Sequence, residues 1–547
     1  MGAASGAALT VLMLLAAFPP LELAVFAWCA LVPLLLVLRE ARGKLAWLLI
    51  WLAGWAFGIG GFFWARHVTV LGMVLLGLYI SVYFLVFCAA ARWLSFRKGM
   101  PLAFAAALVW TSLEVIRGVF LTGLPMLFLA HTQYEALPVI QVADLTGAAG
   151  VTFWIAAVNG ILADAICYFR QRAPRRGARR VLIAAVFVLV ISAFAQWYGS
   201  FRLNTIVTRR GPSIALIQGN IPQDVKNRLT EEDVEDIFRK HLAMTDEAQA
   251  GRPPRMVIWP ETMTPYGLFD LDYEEAVRRR ISGLREEERL EDARYHVQRL
   301  RKTARWRRLL YERQQRSALL LGSGSYSPGD KEVLLYNSVR FLPGGGRGPT
   351  ARYDKIHLVP FGEYVPLKPL IGWIVGPLIP FEQGLTPGAG QPLFEIDGWR
   401  FAPTICFEDQ FPRLTADFGR GGQKMDFIVN VTNEGWFKDG TELDEHLAIA
   451  VFRAVECRAG FVRAANTGIS AFISPTGRIL SRLIVDGRDR EVGGVLRGHA
   501  TTTDLRSPYL ALGELFGWLC VAVWALCSAG LALANIKPPA RRPSAAE

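Results

Sequence analysis

The sequence predicts a membrane α-helical bundle of about eight transmembrane helices joined to an extramembrane α/β domain. Three observations lead there. Seven long stretches of the 547-residue chain contain no Asp, Glu, Lys or Arg. Residues 211–500 instead alternate short β-branched or apolar runs with helical patterns, as a layered α/β domain does. A mean hydropathy of +0.27 coexists with 20% charged residues, a combination that one soluble domain does not produce.

The apolar stretches come first. Spans are expected at 3–19, 21–38, 45–64, 69–91, 102–120, 146–168, 181–200 and 512–535. Most approach the roughly 20 residues that cross a bilayer core. The first two are short enough to form one re-entrant pair. No basic segment precedes the first, and further spans follow, so a cleaved signal peptide is not expected. Arg39, Arg42 and Lys44, then Arg97 and Lys98, then six Arg in 170–180, then Lys537, Arg541 and Arg542 fall in alternate connections and the tail. With eight spans, all four groups lie on the cytoplasmic face and residues 201–511 lie on the opposite side. The expected units are a seven-helix membrane domain over 1–205, a catalytic domain over 206–508, and a final helix with a basic tail over 509–547.

The fifth span holds Glu114 and Arg117, three apart on one helical face. Such charges form a structural ion pair or meet a lipid headgroup or substrate. The following stretch, from Gly123 to Gly150, is expected to be an outer loop that dips into the membrane.

In the α/β part, strands are expected at Ser213–Gln218, Met256–Trp259, Ala318–Ser323, Val333–Phe341, Phe401–Cys406, Asp426–Val431, Phe461–Ala465 and Ile469–Ser474. Helices are expected at 231–249 and 442–458. Residues 272–316 differ: they hold 9 acidic and 14 basic residues. They read as an inserted, solvated charged helix, or as a basic surface against anionic headgroups. The formal net charge of +12 therefore divides between topology-setting loops and this segment, and no nucleic-acid motif accompanies it.

Three strings can carry chemistry. One is Trp259-Pro260-Glu261, a carboxylate just past a buried strand. The second runs from Tyr353 through Lys355, His357 and Gly362 to Glu363 and Pro366. The third is Ile405-Cys406-Phe407-Glu408. A Cys nucleophile needs a base, which a carboxylate can be, and an ammonium can stabilise both thiolate and oxyanion. Glu, Lys and Cys thus complete an acyl-transfer set without histidine. His357 reads as a loop-fixing hydrogen-bonder or a proton relay. Cys457 reads as structural, and the Cys at 29, 88, 167, 520 and 527 as small apolar residues.

These strings in this order resemble the Glu-Lys-Cys pattern of the nitrilase superfamily. The string His357–Pro366, flanked by membrane spans, resembles its membrane branch, the apolipoprotein N-acyltransferases. Gln218–Gln223, Asn430–Phe437, Arg463–Ser470 and Trp110…Glu114…Arg117…Gly123-Leu-Pro125 resemble further family strings.

The resemblance implies a nitrilase-like αββα sandwich on the bundle. It also implies transfer of an acyl chain from a phospholipid, such as phosphatidylethanolamine, to the N-terminal amine of a diacylated apolipoprotein. The setting would be the bacterial inner membrane, with the catalytic domain periplasmic. Cys406 would be the nucleophile, Glu261 the general base and Lys355 the oxyanion stabiliser. Glu363 and Glu408 would support them, and Glu114, Arg117, Phe407 and Trp436 would be substrate-binding candidates. No metal or cofactor and no nucleic-acid partner are expected, and the chain is expected to be a monomer. The alternative is a membrane-tethered amidase or hydrolase. Phe407 stands where the family commonly has Tyr, Glu434 where Asp is usual, and Asn227 near the place of a Trp often seen there.

Overall fold

The computed structural model of the protein describes residues 2–41, 43–171, 175–270, 301–328, 333–346, 350–366 and 384–534. Each expected span holds a helix, but they differ in length. Gly43–Gly61, Val70–Arg97, Ala148–Arg170 and Ala178–Thr205 are four helices long and apolar enough to cross a membrane. Three of the others are cut short for local reasons. Ala3–Ala17 stops before Pro19-Pro20, and its 15 residues reach about 22 Å at 1.5 Å per residue. Val32–Glu40 starts at Pro33, after a 3-10 turn at Ala24–Trp28. Leu102–Arg117 ends at Gly118, and the last helix is Leu515–Ala534.

Small residues let these helices approach closely: a Cβ on Gly58 would stand 2.7 Å from the Gly77 Cα of the next helix. The Arg175–Thr205 helix leaves Leu182, Leu189 and Trp197 more than 60% exposed, an apolar surface with no protein against it.

Two six-stranded sheets form the α/β part. The first has the order β12-β1-β2-β3-β4-β5 and the second β11-β10-β9-β8-β7-β6. The first comprises β1 Arg209–Gln218, β2 Met256–Ile258, β3 Ala318–Pro328, β4 Val333–Leu342, β5 Ala351–Asp354 and β12 Gly494–Thr502. The second comprises β6 Phe394–Ile396, β7 Trp399–Ile405, β8 Phe427–Thr432, β9 Gly460–Ala465, β10 Ala471–Ile473 and β11 Ile479–Arg482. Strands β1–β2–β3 pair parallel, as do β7–β8–β9. All eight expected strands are present. The four that the sequence reading missed, β5, β6, β11 and β12, are the four sheet edges.

The Glu231–Gln249 helix begins at a Thr230–Asp233 capping box and buries Phe238 and Leu242. Beside it the helix over 301–314 buries Thr303, Trp306, Leu310 and Gln314. Trp306 lies 5.3 Å from the Phe238 ring. This half of the charged segment is therefore anchored amphipathically, not fully solvated; residues 271–300 lie outside the described residues. On the other side the Glu442–Cys457 helix is buried along nearly its whole length, between the second sheet and the membrane bundle.

The stretch 123–150, expected as an outer loop that dips into the membrane, is built from short helical turns. Short turns at Leu129–Gln133, Leu137–Ile140 and Ala143–Thr146 are buried under the Glu442–Cys457 helix. There Arg458 pairs with Asp144 at 2.8 Å and donates to Gln141, so the bundle and the sheets share one seam.

Candidate active site

The carboxyl ends of the parallel strands converge on one cluster, as sheet geometry of this kind favours. Cys406 follows the last residue of β7 and has φ of +50°, a left-handed conformation that non-glycine residues seldom adopt. The sharp turn lifts the thiol out of the strand. Asn430 holds the turn by donating to the Cys406 carbonyl at 3.0 Å.

Glu261 lies just past β2. Its room is made by Gly322 on β3, where a Cβ would stand 2.0 Å from the Pro260 carbonyl oxygen. Its Oε2 accepts from the Asn433 backbone N–H at 2.8 Å, and its Oε1 from Asn337 Nδ2 at 2.7 Å. Lys355 follows β5 and is fully buried. Its Nζ lies 2.9 Å from Glu363 Oε1 and 3.4 Å from Glu261 Oε1. Asn337 bridges the same two carboxylates, and Glu363 Oε2 also accepts from the Val359 N–H at 2.8 Å.

Burial pulls the Lys355 pKa down, but Glu363 and Glu261 outweigh it and hold the ammonium charged. Burial pushes the Cys406 thiol well up, Glu261 adds to this, and Lys355 opposes it. The resting thiol is thus protonated, with a carboxylate and an ammonium beside it.

Glu408 ties the two loops together. It accepts from Tyr353 at 2.8 Å, from the Ile356 N–H at 2.6 Å and from the His357 N–H at 3.1 Å, all on the lysine loop. Its other oxygen accepts from the Ile405 N–H at 2.8 Å, beside Cys406. Burial raises its pKa to about 7. His357 packs on Phe411 at 3.6 Å between ring centres, and burial lowers its pKa to about 4. It is neutral at pH 7 and braced as a packing residue. The Phe407 ring lies 5.1 Å from Phe411 and 6.0 Å from His357.

Behind the Cys406 turn lies a second buried network. His446 contacts Asp409 at 2.5 Å, Glu434 at 2.8 Å and Glu442 at 3.3 Å. Arg463 pairs with Asp409 and Glu434. Glu434, Glu442 and His446 present ligand atoms within 4.8 Å of one another, as a metal site would. Arg463 pairs with two of the carboxylates. Burial opposes charge on His446, but Asp409 and Glu434 outweigh it and raise its pKa, so it adds a second positive charge and the cluster reads as an ionic support.

Glu114 and Arg117 are brought to neither Cys406 nor a mutual ion pair. Glu114 accepts from Trp110, Thr152 and the Leu129 N–H at 2.6–2.8 Å. Arg117 donates to the Leu127 carbonyl at 3.1 Å. Both brace the segment after their helix. Trp436 is half-buried beside Phe437, whose ring meets Trp64 of the bundle at 4.7 Å. Asn337, Asn433, Thr432 and Lys226 also belong to the cluster, and the sequence reading did not place them there. Asn433 stood in a quoted string; Asn337, inside a strand run, gave no signal.

Residues 10–161 match the model of the apolipoprotein N-acyltransferase N-terminal domain, and residues 213–489 that of the carbon-nitrogen hydrolases. An apolipoprotein N-acyltransferase of Geobacter metallireducens is 31% identical over 537 residues, 96% of this chain and 94% of that protein. The chain belongs to the apolipoprotein N-acyltransferase family. Its counterpart in Azotobacter vinelandii is 30% identical over 90% of this chain and 88% of its own length. A CN-hydrolase superfamily protein of Xanthomonas campestris is 18% identical over 61% of this chain and 100% of its own, with a TM-score of 0.32. Family membership accounts for the bundle and the sheets occurring in one chain.

Proposed function

We propose that this chain is a membrane acyltransferase that moves an acyl chain from a phospholipid to the N-terminal amine of the diacylglyceryl-cysteine of a bacterial lipoprotein. The observation that carries the reading is the meeting of Cys406, Glu261 and Lys355 in a chain that aligns end to end with apolipoprotein N-acyltransferases.

Glu261 takes the Cys406 proton as the thiol attacks the ester carbonyl of the donor. Lys355, fixed by Glu363, stabilises the tetrahedral oxyanion. Collapse expels a lysophospholipid, whose leaving oxygen takes that proton back from Glu261, and leaves a thioester on Cys406. The acceptor amine then attacks, gives its proton to Glu261, and leaves as the amide, and Glu261 returns the proton to the released Cys406 thiolate. One site serves both halves, so the kinetics are ping-pong. Glu408 keeps the lysine loop and the Cys406 turn in register. The substrate-binding candidates Phe407 and Trp436 would line the acyl-chain path, and Glu114 and Arg117 would act indirectly, by bracing the segment after their helix.

The proposed setting is the bacterial inner membrane, with eight spans, cytoplasmic basic loops and a periplasmic domain over 206–508. A monomer with phosphatidylethanolamine as donor fits this arrangement. The test is the intact mass of purified protein after incubation with phospholipid. The expected result is one acyl adduct on Cys406, absent in Cys406→Ala and discharged by a diacylated lipopeptide. Discharge by water at the same rate overturns the transferase in favour of a hydrolase. Folded protein that takes no adduct overturns both.

A further inference from the structure

Lys226 has no part in the chemistry above, yet it is the second ammonium of the site. It sits on the Gln223–Asn227 turn of helix, just beyond β1. Its Nζ donates to Thr262 Oγ1 at 2.6 Å and to the Glu261 backbone carbonyl at 3.4 Å. Both contacts fall on the turn that presents the Glu261 carboxylate. Thr262 holds φ of +55°, which is costly for a β-branched residue and must be imposed from outside. Gly322 supports the turn from beneath, and Lys226 closes it from the other side.

The charge count gives Lys226 a second task. Once Glu261 has taken the Cys406 proton, Glu363 and the thiolate bring two negative charges and Lys355 one positive. Lys226 supplies the second positive charge that balances them. The groups that face it are Glu261 after β2, Cys406 after β7, and His241 from the Glu231–Gln249 helix, with Lys355 and Glu363 beyond Glu261. Burial holds His241 neutral at pH 7, with a pKa lowered to about 4. Burial lowers the Lys226 pKa to about 8, while Glu261 and Cys406 oppose the fall. It is an ammonium at neutral pH and discharges in mild alkali.

We propose that Lys226 is a positioning residue of the acyl-transfer site, clamping the Glu261–Thr262 turn and supplying the second positive charge against which the Cys406 thiolate forms. The inference rests on the reading that Cys406 and Glu261 react, and its test separates the two. Full-length protein in detergent is treated with iodoacetamide from pH 6 to 10, and alkylation of Cys406 is read by peptide mass. Lys226→Met is expected to slow alkylation at pH 7 about tenfold, while Lys226→Arg keeps the wild-type rate. The gap is expected to close above pH 8 to 9, where Lys226 itself discharges.

A purely structural lysine would change thermal stability without slowing alkylation at pH 7. Equal pH 7 rates in the wild type and Lys226→Met overturn the proposal. So does a loss of rate in Lys226→Arg as large as in Lys226→Met. A Lys226-dependent rate in protein that never takes an acyl chain from phospholipid overturns the acyltransferase reading and leaves the charge effect standing.

Discussion

The seam at Asp144 and the cluster at Cys406 are both buried and both ionic, but they are completed differently. At the seam every nitrogen of the Arg458 guanidinium has a partner, among Asp144, Gln141 and Pro475. Both Asp144 oxygens are taken, by Tyr198, Arg202 and Arg458. At the Cys406 cluster, Asn337 Oδ1 and His357 Nε2 are buried with no hydrogen-bond partner among the described residues, and the thiol is held in its protonated form. A saturated network can only hold parts together; an unsaturated one keeps capacity for a reacting molecule. Cohesion belongs to the seam, and the open capacity that the proposed chemistry needs belongs to the cluster.

The largest effect that would break this division concerns the nucleophile. Cys406→Ala should abolish the acyl adduct in intact mass while leaving the unfolding temperature within a degree or two. Next, Arg458→Met leaves Asp144 with Arg202 and Tyr198 but takes the donor from the buried Gln141 Oε1, and should cost about 1–3 kcal/mol by denaturant titration, with the acylation rate per folded molecule unchanged. A slowed rate at unchanged stability would move the seam into the chemistry. Glu363→Gln leaves Lys355 with one carboxylate partner and should slow adduct formation about a hundredfold with little loss of stability.

Glu408→Gln turns one of its oxygens into a donor facing backbone N–H groups. It should cost about 1–3 kcal/mol and slow acylation about tenfold, so it sharpens the comparison from between the two classes. The smallest effect is at His357. Its pKa is lowered in the fold from 6.5 to about 4, so the fold prefers the neutral ring. The stability this gives is complete above pH 6.5 and declines as pH falls toward 4. His357→Gln should flatten that decline in thermal melts at pH 7, 5.5 and 4, and leave the acylation pH profile unchanged between pH 6 and 8.

The two regions were unequally legible in the sequence. Central strands such as β8, which is buried throughout, announce themselves as apolar runs. The edges do not: β12 alternates Leu496 with Arg497 and His499, and β11 is half-exposed, so neither carries a run. Glu261, Lys355, Cys406 and their supports Glu363 and Glu408 stood in dense local strings. Asn337 is placed by the antiparallel pairing of β3 with β4, and Lys226 by a hydrogen bond across 36 positions of chain. Such residues are chosen by the tertiary fold, and no local pattern marks them. Glu114 and Arg117 were visible as rare charges in an apolar span. Their partners, Thr152 and the backbone at Leu127 and Leu129, became evident only from the packing. The eight-span count met a similar limit, since prolines and helix ends set physical length more tightly than hydropathy does.

The Glu442–Cys457 helix has a consequence for how this chain can be divided. A surface helix offers one apolar stripe to its own domain, whereas this one is wrapped on all sides, by β-strands on one flank and by the bundle on the other. Severed from residues 1–205, the sheets would carry an uncovered oily plate and would aggregate instead of working as a soluble hydrolase. The same helix acts as a spacer that sets the height of Cys406 relative to the bundle. In the proposed reaction the acyl chain therefore travels to the thiol at that height.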